Sequence, residues 1–177
     1  RTREAARRFG RAMERREVQK EYLAIVSGWP EWDRQRVAEP ILRQGEVRES
    51  RIWIKQVAHP DGRDAVTDFE VLRRFENAHG NFAVVRAMPE TGRTHQIRVH
   101  LGCLGHPIVG DKIYGPSEDC YLEFIETGWS RSLEELLYLP RHALHASRLA
   151  IPDETCGLDW SSSMPSAFRE FCEIKSC

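Results

Sequence analysis

The sequence predicts an α+β domain: a mostly antiparallel mixed sheet with helices packed on it. Three observations carry that prediction. Apolar runs of strand length recur between turn residues. Residues 82–88 (F-A-V-V-R-A-M) read as a buried strand, and residues 65–73 alternate, with Thr67, Phe69 and Val71 on one face. Residues 20–26 (K-E-Y-L-A-I-V) are apolar on both faces, as in a strand at the middle of a sheet. Residues 94–105 switch to helical spacing: Ile97, Leu101 and Leu104 fall at i, i+4 and i+7, and Gly105 follows as a C-terminal stop.

Taken in order, residues 2–16 read as an amphipathic helix. Ala5, Ala6, Phe9, Ala12 and Met13 share one face, and Arg7, Arg8, Arg11 and Arg15 form the other. That arginine face suits phosphates or plain solvation. Ser27-Gly28-Trp29-Pro30 closes the first strand, and residues 31–50 read as a polar connection with short strand pieces. Residues 51–57 and 65–73 are predicted as two strands joined by the Pro60-Asp61-Gly62 turn. With residues 82–88, reached through the turn at 77–81, they make an antiparallel meander. Residues 116–140 read as a peripheral helical insertion with two apolar stripes, one of Tyr121, Phe124 and Ile125 and one of Leu133, Leu136 and Leu137, divided by Gly128. A strand at 143–151 and a short helix at 165–172, burying Phe168 and Phe171, complete the chain.

A net charge of −1 with 30% charged residues does not by itself announce a nucleic-acid binder. The distribution is more informative. Residues 1–20 hold eight basic side chains against three acidic, whereas residues 118–135 hold six acidic against one arginine. Such a polarised surface can bind RNA locally. The five cysteines (103, 120, 156, 172 and 177) are odd in number and lack paired spacing, so reduced thiols and a cytoplasmic location are expected. No run has transmembrane length or the pattern of a signal peptide. A monomer without a membrane partner is expected.

The candidate site is the strand–loop–helix unit at 82–105. Pro89-Glu90-Thr91-Gly92 is turn chemistry, and Thr94 is placed to cap the helix. Arg93, His95, Gln96, Arg98 and His100 crowd its first turns. Two cations at a helix N-terminus are locally unfavourable, so an anion is expected there: a phosphate, or a carboxylate from elsewhere in the chain. A histidine-based metalloenzyme built on His95, His100, His106, His142 and His145 is a poor fit. His95 and His100 are five apart, and there is neither an H-E-x-x-H run nor a cysteine pair at zinc spacing.

Residues 92–101 (G-R-T-H-Q-I-R-V-H-L) and 105–115 (G-H-P-I-V-G-D-K-I-Y-G) resemble the signature of the RluA-type pseudouridine synthases, which isomerise uridine to pseudouridine in ribosomal or transfer RNA. The runs K-E-Y-L-A at 20–24, D-A-V-T-D-F at 64–69 and L-H-A at 144–146 resemble further family segments. The resemblance implies the pseudouridine synthase catalytic fold, RNA as partner, and no metal or cofactor. It implies that Arg98 pairs with the nucleophilic aspartate of the motif H-R-L-D-x-x-T-S-G. It also sets Tyr22 against the target base, with a ring to stack and a hydroxyl to move a proton. Arg93, Thr94, His95, Gln96 and Leu144 are the expected RNA contacts.

None of the eight aspartates lies in an H-R-L-D context. The chain is therefore expected to be the C-terminal portion of a single catalytic domain, inactive alone, with its nucleophile upstream. Asp111 is expected to be structural, and Arg98 and Arg93 to lack a native carboxylate or to hold a solvent anion. The alternative is a catalytically silent RNA-binding fragment.

Overall fold

The computed structural model describes residues 2–152 and 157–173; Arg1, Asp153, Cys156, Cys177 and the side chain of Ala5 lie outside the described set. In chain order the elements are α1 (Arg3–Glu14), β1 (Gln19–Ser27), β2 (Arg34–Val37), β3 (Ile41–Arg43), β4 (Gln56–Ala58), β5 (Thr67–Asn77), β6 (Gly80–Pro89), α2 (Gln96–Cys103), α3 (Asp119–Thr127), α4 (Arg131–Leu137), β7 (Leu144–Ile151), β8 (Leu158–Ser161) and α5 (Ser166–Glu173). A six-stranded sheet runs in the order β2-β5-β6-β1-β7-β8, and β3 and β4 form a separate ribbon. Every pairing in the large sheet is antiparallel. β1 lies between β6 and β7, as its two apolar faces require, with Ala24, Ile25 and Val26 completely buried. Ile97 and Leu101 of α2 and Phe168 and Phe171 of α5 join Phe69, Phe82 and Val85 of the sheet in the main core.

Several expectations need correction. Residues 51–55 are not a strand. Ser50 Oγ accepts from the Ile52 amide and donates to its carbonyl, which curls the chain, and only Ile52 is buried while Trp53 is 76% exposed. The next three residues pair as β4 with β3, not with β5, so the predicted meander reduces to the β5–β6 hairpin. Within β5 the register shifts between Val71 and Arg73, a bulge that leaves Leu72 exposed. On α1, Ala12 is buried and Phe9 half-buried, whereas Ala6 and Met13 are exposed. β8 was not anticipated. It buries little apolar surface and is held by its ladder with β7 and by Arg148, which donates to Asp159 on β8 and to Glu21 on β1.

Residues 116–140 contain α3 and α4. They close over a small cluster of Cys120, Leu133 and Leu137, with Phe124 and Trp129 against it, while Ile125 and Leu136 of the predicted stripes stay exposed. Ser130 caps α4 by accepting from the Leu133 amide. The acidic charge of this segment is partly matched within the molecule: Glu118 accepts from Lys55 and Asp119 from Arg51. Cys103, Cys120 and Cys172 are free thiols. No helix among the described residues is long and apolar enough to cross a membrane.

The loop after α2 is tied directly to the sheet. Val109 donates to the Ile25 carbonyl and accepts from the Ala143 amide, and Gly110 follows at φ +76°. A Cβ on Gly110 would lie 2.2 Å from the Arg141 carbonyl oxygen. Gly110→Ala therefore combines left-handed strain with a backbone clash. It should cost about 3 kcal/mol or more and lower the melting temperature by about 10 °C, as read by calorimetry.

Candidate active site

A cleft of about 400 Å³ opens over the central strands. Tyr22, Arg93, His95, Gln96, Arg98 and Leu144, all predicted from sequence, line it together. Thr94 does not; it is exposed on the turn before α2. Lys20 and His142 line the cleft as well. Neither was expected to line it: Lys20 lies on β1 two residues before Tyr22, the spacing of one strand face, whereas His142 precedes β7 and was weighed only as a metal ligand. Tyr22 pairs with Ala87 on β6 and Ala146 on β7. Directly paired residues share a sheet face, so the half-buried Tyr22, packed against the main core, has only small side chains beside it on the strands to either side. The Lys20 ammonium is part-buried near the Thr91 carbonyl, and burial, then Arg16, lowers its pKa.

The loop into α2 is organised by Gln96. Its amide oxygen accepts from Thr91 Oγ1 at 2.7 Å and the Arg93 amide at 2.9 Å, and its amide nitrogen donates to the Val66 carbonyl and Thr67 Oγ1, both at 2.9 Å. These bonds correct the assignment of Thr94 as cap. The N-cap is His95, at φ 57° with no side-chain cap bond, because the chain turns through residues 94–95 before becoming helical. At the other end, Gly105 donates to the Gly102 carbonyl and His106 to the Leu101 carbonyl, a Schellman motif in which Gly105 takes the left-handed position. Gln96→Leu keeps the volume but strands the Arg93 amide and leaves the buried Thr91 hydroxyl without its acceptor. It should lower stability by about 3 kcal/mol in urea unfolding and loosen the cleft wall.

Arg98 does have a carboxylate. Its Nε and Nη2 donate to the two oxygens of Asp111, each at 2.7 Å, and the Asp111 side chain is fully buried. The expectation of an unpartnered Arg98 is overturned, while a structural Asp111 is what the geometry displays. Burial alone would raise the Asp111 pKa. The Arg98 fork and charge, then the Tyr114 and Ile113 amides, outweigh that and hold it below its ordinary value. Nη1 of Arg98 makes no hydrogen bond among the described residues, so one edge of the guanidinium remains available where the residue lines the cleft. Arg93 donates through Nε to the Asp64 carbonyl and has no carboxylate partner among the described residues. The remaining histidines are dispersed: His100 bonds Thr67 and the Glu39 carbonyl, His106 the Ser27 carbonyl, and His145 the Ser162 carbonyl. No three His, Cys, Asp or Glu side chains among the described residues are grouped to hold a metal.

The sequence profile of the family described as RNA pseudouridylate synthase matches residues 1–102, from α1 through most of α2. The chain belongs to the RNA pseudouridylate synthase family. Among its relatives in this family, the dual-specificity RNA pseudouridine synthase RluA of Pasteurella multocida (strain Pm70) is 35% identical over 93% of this chain and 64% of its own length. The ribosomal large subunit pseudouridine synthase D of Escherichia coli (strain K12) is 33% identical over 96% of this chain and 48% of its own. The structure of human RNA pseudouridylate synthase domain containing 1 superposes with a TM-score of 0.70 at 29% identity, over 92% of this chain and 61% of that one. The chain thus spans about half to two thirds of the length of these synthases.

Proposed function

We propose that the whole protein carrying this chain is an RNA pseudouridine synthase acting on uridines of ribosomal RNA, and that this chain supplies the wall of its active site that receives the base. The observation that carries the reading is the convergence of Tyr22, Arg93, His95, Arg98 and Leu144 on one cleft, in a chain of this family. The ribosomal substrate named for one relative supports ribosomal over transfer RNA. The reaction breaks a C–N glycosidic bond, turns the base and forms a C–C bond, without net redox change. It needs the nucleotide out of its stack and a carboxylate at the sugar. Tyr22 and Leu144 hold the base between an aromatic and an aliphatic face, and the Tyr22 hydroxyl serves a proton transfer. The free edge of Arg98 faces an aspartate supplied from outside this chain and keeps it ionised and oriented. Arg93, with Thr94 on the exposed turn, meets phosphate, and Gln96 holds the loop that presents them. The protein works as a cytoplasmic monomer.

The test is a chemical map of pseudouridine in ribosomal RNA from cells with and without the gene. Loss of particular pseudouridines, restored by the wild-type gene but not by a Tyr22→Ala variant, is expected. An unchanged map overturns the ribosomal assignment, and RNA binding by the whole protein with no turnover on any RNA would favour the silent-binder alternative.

A further inference from the structure

We infer that His95 is a neutral hydrogen-bond donor to an oxygen of the RNA in the cleft, and that Tyr114 is the positioning residue that fixes which ring nitrogen donates. The RNA half of this inference rests on the function proposed above. The tautomer half rests on the fold alone.

Tyr114 follows Asp111 by three residues, and its amide donates to the Asp111 carboxylate. Its hydroxyl oxygen accepts from the Gln56 amide at 2.8 Å and lies 3.0 Å from His95 Nδ1. A phenol carries one hydrogen. With the oxygen already accepting from Gln56, that hydrogen needs an acceptor, and among the described residues His95 Nδ1 is the group in place to take it. Nδ1 is then the bare nitrogen, and the imidazole proton sits on Nε2. The Arg98 guanidinium lies 4.9 Å over the Tyr114 ring, and the two aromatic rings meet edge-to-face at 5.6 Å, so the pair has little freedom to rearrange.

Nε2 is left over. It bonds to nothing among the described residues, although His95 lines the cleft. His100, five residues on, shows what a structural histidine looks like in this fold: both of its nitrogens are bonded, to Thr67 and to the Glu39 carbonyl. His95 also holds φ 57°, a left-handed conformation uncommon for a residue with a Cβ, at a cleft wall. The charge state agrees with the geometry. Burial and then Arg98 push the His95 pKa down to about 4, and burial pushes that of Tyr114 up to about 12. Both groups therefore keep these hydrogens through the neutral range.

A phosphate oxygen and a uracil carbonyl offer the same acceptor chemistry, and the test separates them. In the full-length protein labelled with 15N-histidine, NMR should give His95 a bare Nδ1 and a protonated Nε2 in the wild type, and a mixture of tautomers in Tyr114→Phe. Protonation at Nδ1 in the wild type overturns the assignment of Tyr114. In steady-state kinetics His95→Asn, which tolerates the left-handed backbone but does not reach as far as Nε2, should raise KM about three- to tenfold with kcat nearly unchanged. His95→Gln, with an amide N–H near the Nε2 position, should recover most of that loss. If phosphate is the acceptor, wild type and His95→Asn converge on RNA carrying neutral methylphosphonates beside the target; if uracil is, they converge on RNA with thiouridine at the target. A His95→Asn variant with wild-type KM, or convergence on neither RNA, overturns the donor role. A wild-type protein that neither binds nor modifies RNA instead defeats the proposed function and the RNA half together, leaving the tautomer to the NMR result.

Discussion

Arg98→Ala should lower the stability of the domain by about 3–5 kcal/mol, because it leaves the buried Asp111 carboxylate without its counter-charge. The melting temperature should fall by roughly 10–15 °C. Pseudouridine formation by the full-length protein should fall by orders of magnitude even at temperatures where the variant is folded. The pH dependence identifies the cause. In the wild type the folded pKa of Asp111 is depressed, so the pair's contribution is complete above the unfolded value of 3.8 and is lost as the pH falls through the folded value. Without Arg98, burial dominates and the folded pKa rises above the unfolded one. The variant then loses stability as the pH climbs from about 4 toward 7, and its gap from the wild type widens over that range. Urea unfolding of both proteins at pH 4.5 and 7 reads this directly. A gap that is constant or narrows with pH would mean that Asp111 does not depend on Arg98.

Tyr22→Phe should reduce kcat by about a hundredfold or more, the scale of a lost proton-transfer group, with RNA affinity changed by less than threefold. The ring stays, and with it the stacking surface that Tyr22 contributes to the cleft. Tyr22→Leu should weaken binding as well. Single-turnover kinetics with saturating enzyme separate the two effects. Wild-type single-turnover rates in Tyr22→Phe would remove the hydroxyl from the chemistry and leave Tyr22 as a stacking platform.

The strands were legible where a face is buried along its length. β1, β5, β6 and β7 each carry several buried or half-buried apolar side chains in register. The short pieces were not. β8 spans Leu158–Ser161 with only Leu158 half-buried, and what ties it down is the ladder with β7 and a bond from an arginine eleven residues away. Residues 51–55 carry strand-forming side chains, but Trp53 lies outside under the Arg43 guanidinium, 3.9 Å from its ring centroid, where hydropathy has no influence. The site followed the same division. Gly92 to Arg98 is one continuous run, and its residues, Thr94 apart, reach the cleft. What escaped detection depends on pairing across the fold. Gln96 was expected as an RNA contact, and only the return of residues 66–67 shows that it also closes the loop. Asp111 and Arg98 are thirteen residues apart across a helix end and a turn, and the unfavourable clustering of positive charge at α2 was the one local sign that a carboxylate should be near.

The most direct measurement is tritium release from ribosomal RNA labelled at uridine C5, with the full-length protein in the reaction. Formation of the C–C bond at C5 expels that hydrogen, so release should match the pseudouridine formed mole for mole and fall to background in Arg98→Ala. Tight RNA binding with no release would contradict a synthase active site in this cleft, and undiminished release from Arg98→Ala would place the chemistry elsewhere in the protein.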